Sequence, residues 1–158
     1  MLIVIGSDHG GFQLKTDLKQ FLAAQGHSIK DYGAFSKDPV DYPDIAFLVA
    51  QGVARGEYER GILVDTTGIA SAIVANKVFG VRATPCADAT TIKSSREHND
   101  ANVLCLGAAL VSADHAQPLV SMWLATPFSG GRHARRVEKI RQVEEITMKQ
   151  SGLHSLRG

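Results

Sequence analysis

The strongest constraint on this chain is the recurrence of short, continuously apolar runs that each end at a glycine or a polar residue. Leu2-Ile3-Val4-Ile5 stops at Gly6, Gly61-Ile62-Leu63-Val64 at Asp65, and Val103-Leu104-Cys105-Leu106 at Gly107. Apolar residues at successive positions, rather than alternate ones, mark strands buried on both faces, and such strands belong to parallel sheets covered by helices on each side. Weaker strand signals lie at 27–32 and 81–86.

Between these runs the period changes to that of a helix. Leu14, Leu18, Phe21 and Leu22 form one stripe that stops at Gln25-Gly26, and Ile45, Leu48, Val49 and Val53 form another that closes near Gly56. A short helix is expected at 70–77, a polar one ending near 100, one at 112–124 that Pro118 should kink or shift, and a charged one at about 135–150. Residues 36–44, with two prolines, read as a loop. The pattern predicts an α/β fold: a five-stranded parallel sheet with helices on both faces, a Rossmann-like three-layer sandwich, plus a C-terminal helix. Residues 1–150 read as one domain and 151–158 as a frayed tail.

Composition narrows the function classes. The 158 residues carry 17 basic and 16 acidic side chains, a formal charge of +1, which gives no reason to expect nucleic acid or a membrane surface as a partner. No apolar run reaches the length of a membrane span. The two cysteines, Cys86 and Cys105, both sit in strand-like stretches and read as buried thiols of a reducing compartment, so the cytoplasm is the expected location. The six histidines show no paired ligand spacing, and no metal site is expected.

In sheets of this class ligands bind outside the carboxyl ends of the strands. After the first strand stands Gly6-Ser7-Asp8-His9-Gly10-Gly11, a carboxylate beside an imidazole in a glycine-rich loop that opens a helix. A dinucleotide fingerprint is a rival there, since Asp31 lies about where the ribose-binding acid would be, but that fingerprint needs glycine two residues after Gly6, where this chain has Asp8. After the third strand stands Asp65-Thr66-Thr67-Gly68-Ile69-Ala70-Ser71, whose free N–H groups suit a developing oxyanion. Asp65 admits two readings, a base at the strand tip or the cap of the helix that follows. Further on, Arg96-Glu97-His98-Asn99-Asp100 closes the polar helix, and Gly130-Gly131-Arg132-His133-Ala134-Arg135-Arg136 opens the last one. Arg132 and Arg136, four residues apart, form either a phosphate clamp or a solvated basic face.

Taken together, Gly6 to Gly11, Asp41-Tyr42-Pro43-Asp44, Ala75-Asn76-Lys77, Arg96 to Gly107 and Gly130 to Val137 resemble the ribose-5-phosphate isomerase B family, which also contains the subunits of galactose-6-phosphate isomerase. The resemblance extends to about Ile140. It implies an aldose–ketose isomerisation of a phosphorylated sugar through an enediolate, ribose 5-phosphate being the default substrate, with no cofactor. It also implies a homodimer or tetramer whose sites take residues from both chains. By the same resemblance Asp8, His9, Tyr42 and Asn99 contact the substrate, His98 is the acid that opens the sugar ring, and Arg132 and Arg136 hold the phosphate. Thr66, Thr67, Gly68, Ile69, Ala70 and Ser71 form the loop around the enediolate.

The departures from the family are local. Where the family has Cys-Gly-Thr-Gly-Ile-Gly, with the cysteine as base, this chain has Asp65-Thr66-Thr67-Gly68-Ile69-Ala70. Another branch uses a glutamate where Ser71 stands, and a common substrate-binding arginine is replaced by Ala109. The aspartate resembles one of the galactose-6-phosphate isomerase subunits. The expectation is an isomerase with Asp65 as base. The alternative is a sugar-phosphate-binding subunit with little activity until a different partner chain completes it.

Overall fold

A computed structural model describes residues 1–148. The elements follow in the order β1 (Leu2–Ser7), α1 (Phe12–Ala24), β2 (Ser28–Asp31), α2 (Tyr42–Ala54), β3 (Arg60–Asp65), α3 (Ile69–Ala75), β4 (Ala83–Pro85), α4 (Ala89–Glu97), β5 (Val103–Gly107), α5 (Ala113–Ala125) and α6 (Arg132–Thr147). All strand pairs are parallel, in the order β2-β1-β3-β5-β4. The proposed tail at 151–158 lies outside the described residues.

The continuous apolar runs are buried on both faces, as their composition requires. Ile3, Ile5, Ile62, Val64, Leu104 and Leu106 face one way, onto α1 and α5, with Trp123 fully buried among them. Val4, Leu63, Val103 and Cys105 face the other way, onto α2 and α3. Trp123 donates its indole N–H to Ser95 Oγ at 3.2 Å, which ties α5 to α4.

Three expectations shift at the element ends. Residues 42–44, read as loop, belong to α2: Pro43 sits in its first turn, where a missing N–H costs nothing because that group has no partner inside the helix. α5 runs unbroken from Ala113 to Ala125 with Pro118 inside it. α6 begins at Arg132, three residues earlier than expected, immediately after Gly130 and Gly131 supply two left-handed turns (φ 64° and 53°) that only glycine adopts freely. Among the described residues no helix is long and apolar enough to cross a membrane.

Candidate active site

The strand order reverses direction between β1 and β3, so a crevice opens at their carboxyl ends. Two loops meet there. A Cβ added at Gly10 would lie 2.7 Å from Thr66 Oγ1 and 3.3 Å from Asp8 Oδ1, so Asp8 and Thr66 flank the same point from opposite loops. A Cβ at Gly11 would lie 2.2 Å from the Val64 carbonyl oxygen, so only glycine lets the first loop lie this close on β3. Asp8 Oδ1 accepts from Gly11 N–H at 2.9 Å, and Asp8 itself is half-buried. His9 Nδ1 accepts from Val40 N–H at 3.3 Å, which ties that ring to the segment leading into α2, where Tyr42 is the first helical residue. Asp8, His9, Tyr42 and the 66–71 loop are thus brought to one end of the sheet.

Asp65 closes β3 and is only 3% exposed. Its Oδ1 accepts from Thr67 N–H at 2.8 Å and from Gly68 N–H, and its Oδ2 accepts from Ser71 N–H at 2.9 Å. Burial alone would raise its pKa, but the Ser71 side chain and the N–H groups of Ser71, Gly68 and Thr67 outweigh burial and hold it below the usual carboxylate value. A carboxylate has about four acceptor positions, and three backbone N–H groups take three of them here. In this geometry Asp65 clamps the 65–71 loop onto the start of α3, as a cap does.

The same bonds change the oxyanion nest expected at 66–70. The N–H groups of Thr67, Gly68 and Ser71 point inward to Asp65, and Ile69 N–H makes a long bond to Thr67 Oγ1 at 3.4 Å. The loop is also seated on β5, since Ala108 N–H donates to Asp65 O at 2.8 Å and Ala109 N–H to Thr66 O at 3.0 Å. Gly68, at φ 79°, is the one loop position that needs a left-handed backbone.

The remaining expected residues gather elsewhere. His98 and Asn99 follow α4, which returns the chain to the amino ends of the strands, a few residues before β5 starts at Val103. Arg82 Nε donates to the carbonyl oxygens of Asn99 and Asp100, both at 3.0 Å. Buried Arg96 donates to Asp100 Oδ1 at 2.8 Å and to Ala101 O at 2.6 Å, fixing the turn in which Asp100 adopts φ 47°. Ser129 N–H donates to Glu97 O at 3.1 Å, which brings the start of α6 to the same corner. There the His98 and His133 rings stack at 4.3 Å between centroids, 13° from parallel. Desolvation, the nearby His98 ring and the charges of Arg132 and Arg136 hold His133 below the ordinary histidine value. Arg132 and Arg136 are exposed beside it.

One chain therefore carries two clusters at opposite ends of its sheet. The five residues of β5 alone separate them by roughly 13 Å. Asp8, His9, Tyr42 and the 66–71 loop do not meet His98, Asn99, Arg132 and Arg136 within a single chain. The residue that sequence reasoning left unassigned is His133. Its neighbours in the Arg132–Arg136 segment were visible, but a stack with His98 needs the fold.

Residues 3–140 match the family described as Ribose/Galactose Isomerase. The chain is 41% identical over 143 residues to the ribose-5-phosphate isomerase B of Escherichia coli, covering 90% of this chain and 96% of that protein. It is 38% identical over 146 residues to the D-erythrulose-4-phosphate isomerase of Pectobacterium atrosepticum, covering 90% and 94%. Among solved structures, the ribose-5-phosphate isomerase B of Clostridium thermocellum superposes with a TM-score of 0.90 at 47% identity, over 92% of this chain and 98% of that one.

Proposed function

The chain belongs to the ribose/galactose isomerase family, and from that premise we propose that it interconverts the aldose and ketose forms of a short phosphorylated sugar. The chemistry is proton transfer next to a carbonyl, through an enediolate, with side chains as the acids and bases. Ribose 5-phosphate and D-erythrulose 4-phosphate, named for two relatives, share a terminal phosphate and an α-hydroxycarbonyl, so both belong in the substrate class.

The observation that carries this reading is the pair of clusters at opposite ends of one sheet. A carboxylate with an open side, Asp8, stands at one end, and two exposed guanidinium groups, Arg132 and Arg136, stand at the other. A two-fold pair of chains can bring the arginine end of one copy to the carboxylate end of the other, making two complete sites. Arg132 and Arg136 would then hold the phosphate through charge-assisted bonds, Asn99 the sugar, and His98 would protonate the ring oxygen as the furanose opens. An apolar stripe on α6 supports such a pairing. Ile140, Val143 and Ile146 are 40%, 58% and 65% exposed, and Glu144 is the one buried residue of the helix.

A second reading draws on Asp65. With that carboxylate and the loop N–H groups turned inward, the chain would serve as the sugar-phosphate-binding half of an assembly whose other subunit supplies the base. A coupled assay of the pure protein decides between the two. Isomerisation of ribose 5-phosphate, D-erythrulose 4-phosphate or galactose 6-phosphate, with free ribose a poor substrate, is the expected result. No turnover of any of the three, with binding retained, would transfer the conclusion to the second reading.

A further inference from the structure

We infer that Asp8, not Asp65, is the carboxylate that carries the proton between the two carbons of the substrate. The inference rests on the isomerase reading and names the group that performs its central step.

Four observations support it. First, three backbone N–H groups already bond the Asp65 carboxylate, and the residue is 3% exposed. Second, Asp8 spends one oxygen on Gly11 N–H, while among the described residues its Oδ2 has no donor. Third, Asp8 stands at the carboxyl end of β1, at the point where the strand order reverses and the crevice opens. Fourth, Thr66, whose hydroxyl comes within 2.7 Å of the Gly10 Cβ position that Asp8 Oδ1 approaches at 3.3 Å, sets a neutral hydroxyl beside that carboxylate.

The other candidates fit less well. His9 uses Nδ1 to accept from Val40 N–H, away from the shared point between the loops. Cys86, just past the edge strand β4, lines a cavity with Thr67 and Ile69 but is only 6% exposed and lies on the far side of β5 from Asp8. Cys105 is fully buried, and its thiol is pushed well above the ordinary range by burial, the Asp65 charge and Cys86.

The step balances within the substrate and one carboxylate. Asp8 Oδ2 takes the proton from the hydroxyl-bearing carbon next to the carbonyl, and the C–H pair becomes the double bond of the enediolate. The carbonyl π pair moves onto its oxygen, which receives the proton that leaves the neighbouring hydroxyl. The carboxyl group then returns its proton to the former carbonyl carbon, and the new carbonyl forms at the neighbour. Nothing is oxidised or reduced overall.

Exchange of the carbon-bound hydrogen with solvent, followed by NMR in deuterium oxide, reads this step directly. Ribose 5-phosphate, D-erythrulose 4-phosphate and galactose 6-phosphate serve as probes, with the wild type, Asp8→Asn and Asp65→Asn. Asp8→Asn keeps the acceptor for Gly11 N–H, so it is expected to retain its melting temperature and its KM within a few-fold. Its exchange and turnover should fall roughly 100- to 10,000-fold. Asp65→Asn is expected to lose thermal stability and raise KM while keeping exchange at saturation within about tenfold. Near-normal exchange in Asp8→Asn overturns the inference. So does loss of exchange in Asp65→Asn at unchanged melting temperature and KM, which would return the base to Asp65. If the wild type exchanges none of the probes, the isomerase reading falls first, and the assignment of Asp8 falls with it.

Discussion

At Asp65 three N–H groups and one hydroxyl converge on a buried carboxylate, and each would be left without an acceptor if the charge or the geometry changed. An amide at this position keeps one oxygen but turns an NH₂ group toward a donor. Asp65→Asn should therefore destabilise the protein by about 1–3 kcal/mol, the cost of leaving buried donors unpaired. In a chain of this size each kcal/mol corresponds to roughly 2–4 °C of melting temperature. An unchanged thermal midpoint would contradict the clamping role. The two readings of Asp65 were both open in the sequence, because a strand-tip aspartate before a helix serves either purpose. The fold adds the path of the 66–71 loop, which turns its N–H groups back onto the carboxylate as a cap would.

His133 makes a second residue-scale test. It lies against His98 and between two arginines, so it should titrate below the 6.5 of a free histidine. A bound phosphate dianion favours the charged ring and should move the midpoint upward. Titrating the histidine resonances by NMR with and without ribose 5-phosphate measures both values. A midpoint that stays fixed as ligand saturates would remove this corner from the phosphate site.

Among the elements, α1 is held by an ion pair that its apolar stripe did not announce. Lys15, 1% exposed, donates to Asp31 Oδ1 at 2.8 Å and to the Ala34 carbonyl oxygen at 2.5 Å, while Lys19 reaches Asp31 Oδ2 at 3.1 Å. Burial would raise the Asp31 pKa, but the bonds from Lys15, Gly33 N–H and Lys19 and the Lys15 charge outweigh it and lower it. Asp31 and Asp65 share this sign. A folded-state pKa below the unfolded one contributes stability that is complete above about pH 4 and disappears as pH falls through the folded value. The share of the urea midpoint due to these two carboxylates should thus be flat from pH 7 to about 5 and fall below about 4, separate from the decline that His133 gives as pH falls through about 6.5. Lys15→Met leaves Asp31 half-compensated and should cost about 3 kcal/mol at neutral pH, with a shallower acid limb than the wild type. An equal acid limb in both would show that the Lys15–Asp31 pair does not set it.

The elements also mark where the sequence was legible. Strands β1, β3 and β5 were, because continuous branched runs have one structural use. The opening of α2 at Tyr42 was hidden by prolines at 39 and 43, one of which sits where a helix tolerates it. Pro118 points the same way: as the sixth residue of α5 it removes one N–H, yet Ala116, Val120, Trp123 and Leu124 bury a stripe long enough to keep the helix continuous.

Over the whole molecule, the sequence brought the candidate residues to notice but could not say that they divide between opposite ends of the sheet. That division follows from the parallel topology. Residues after a strand lie at its carboxyl end and residues before the next strand at its amino end, so His98 and Asn99, which precede β5, stand away from Asp8 and Thr66, which follow β1 and β3. The same division makes the assembly testable without a structure of it. If each site takes its carboxylate from one copy and its arginines from the other, Asp8→Asn and Arg132→Ala lie on different chains of every site. Each variant alone should be almost inactive. In a dimer of one Asp8→Asn chain and one Arg132→Ala chain, one site carries both changes and the other carries neither. Random reassortment makes half the dimers mixed, each with one intact site, so unfolding and refolding an equimolar mixture should restore about a quarter of wild-type activity. Refolding each variant separately should restore none. If the mixture stays as inactive as its parts while sedimentation shows mixed dimers, both residues serve the same chain's site, and the two clusters do not meet across the interface.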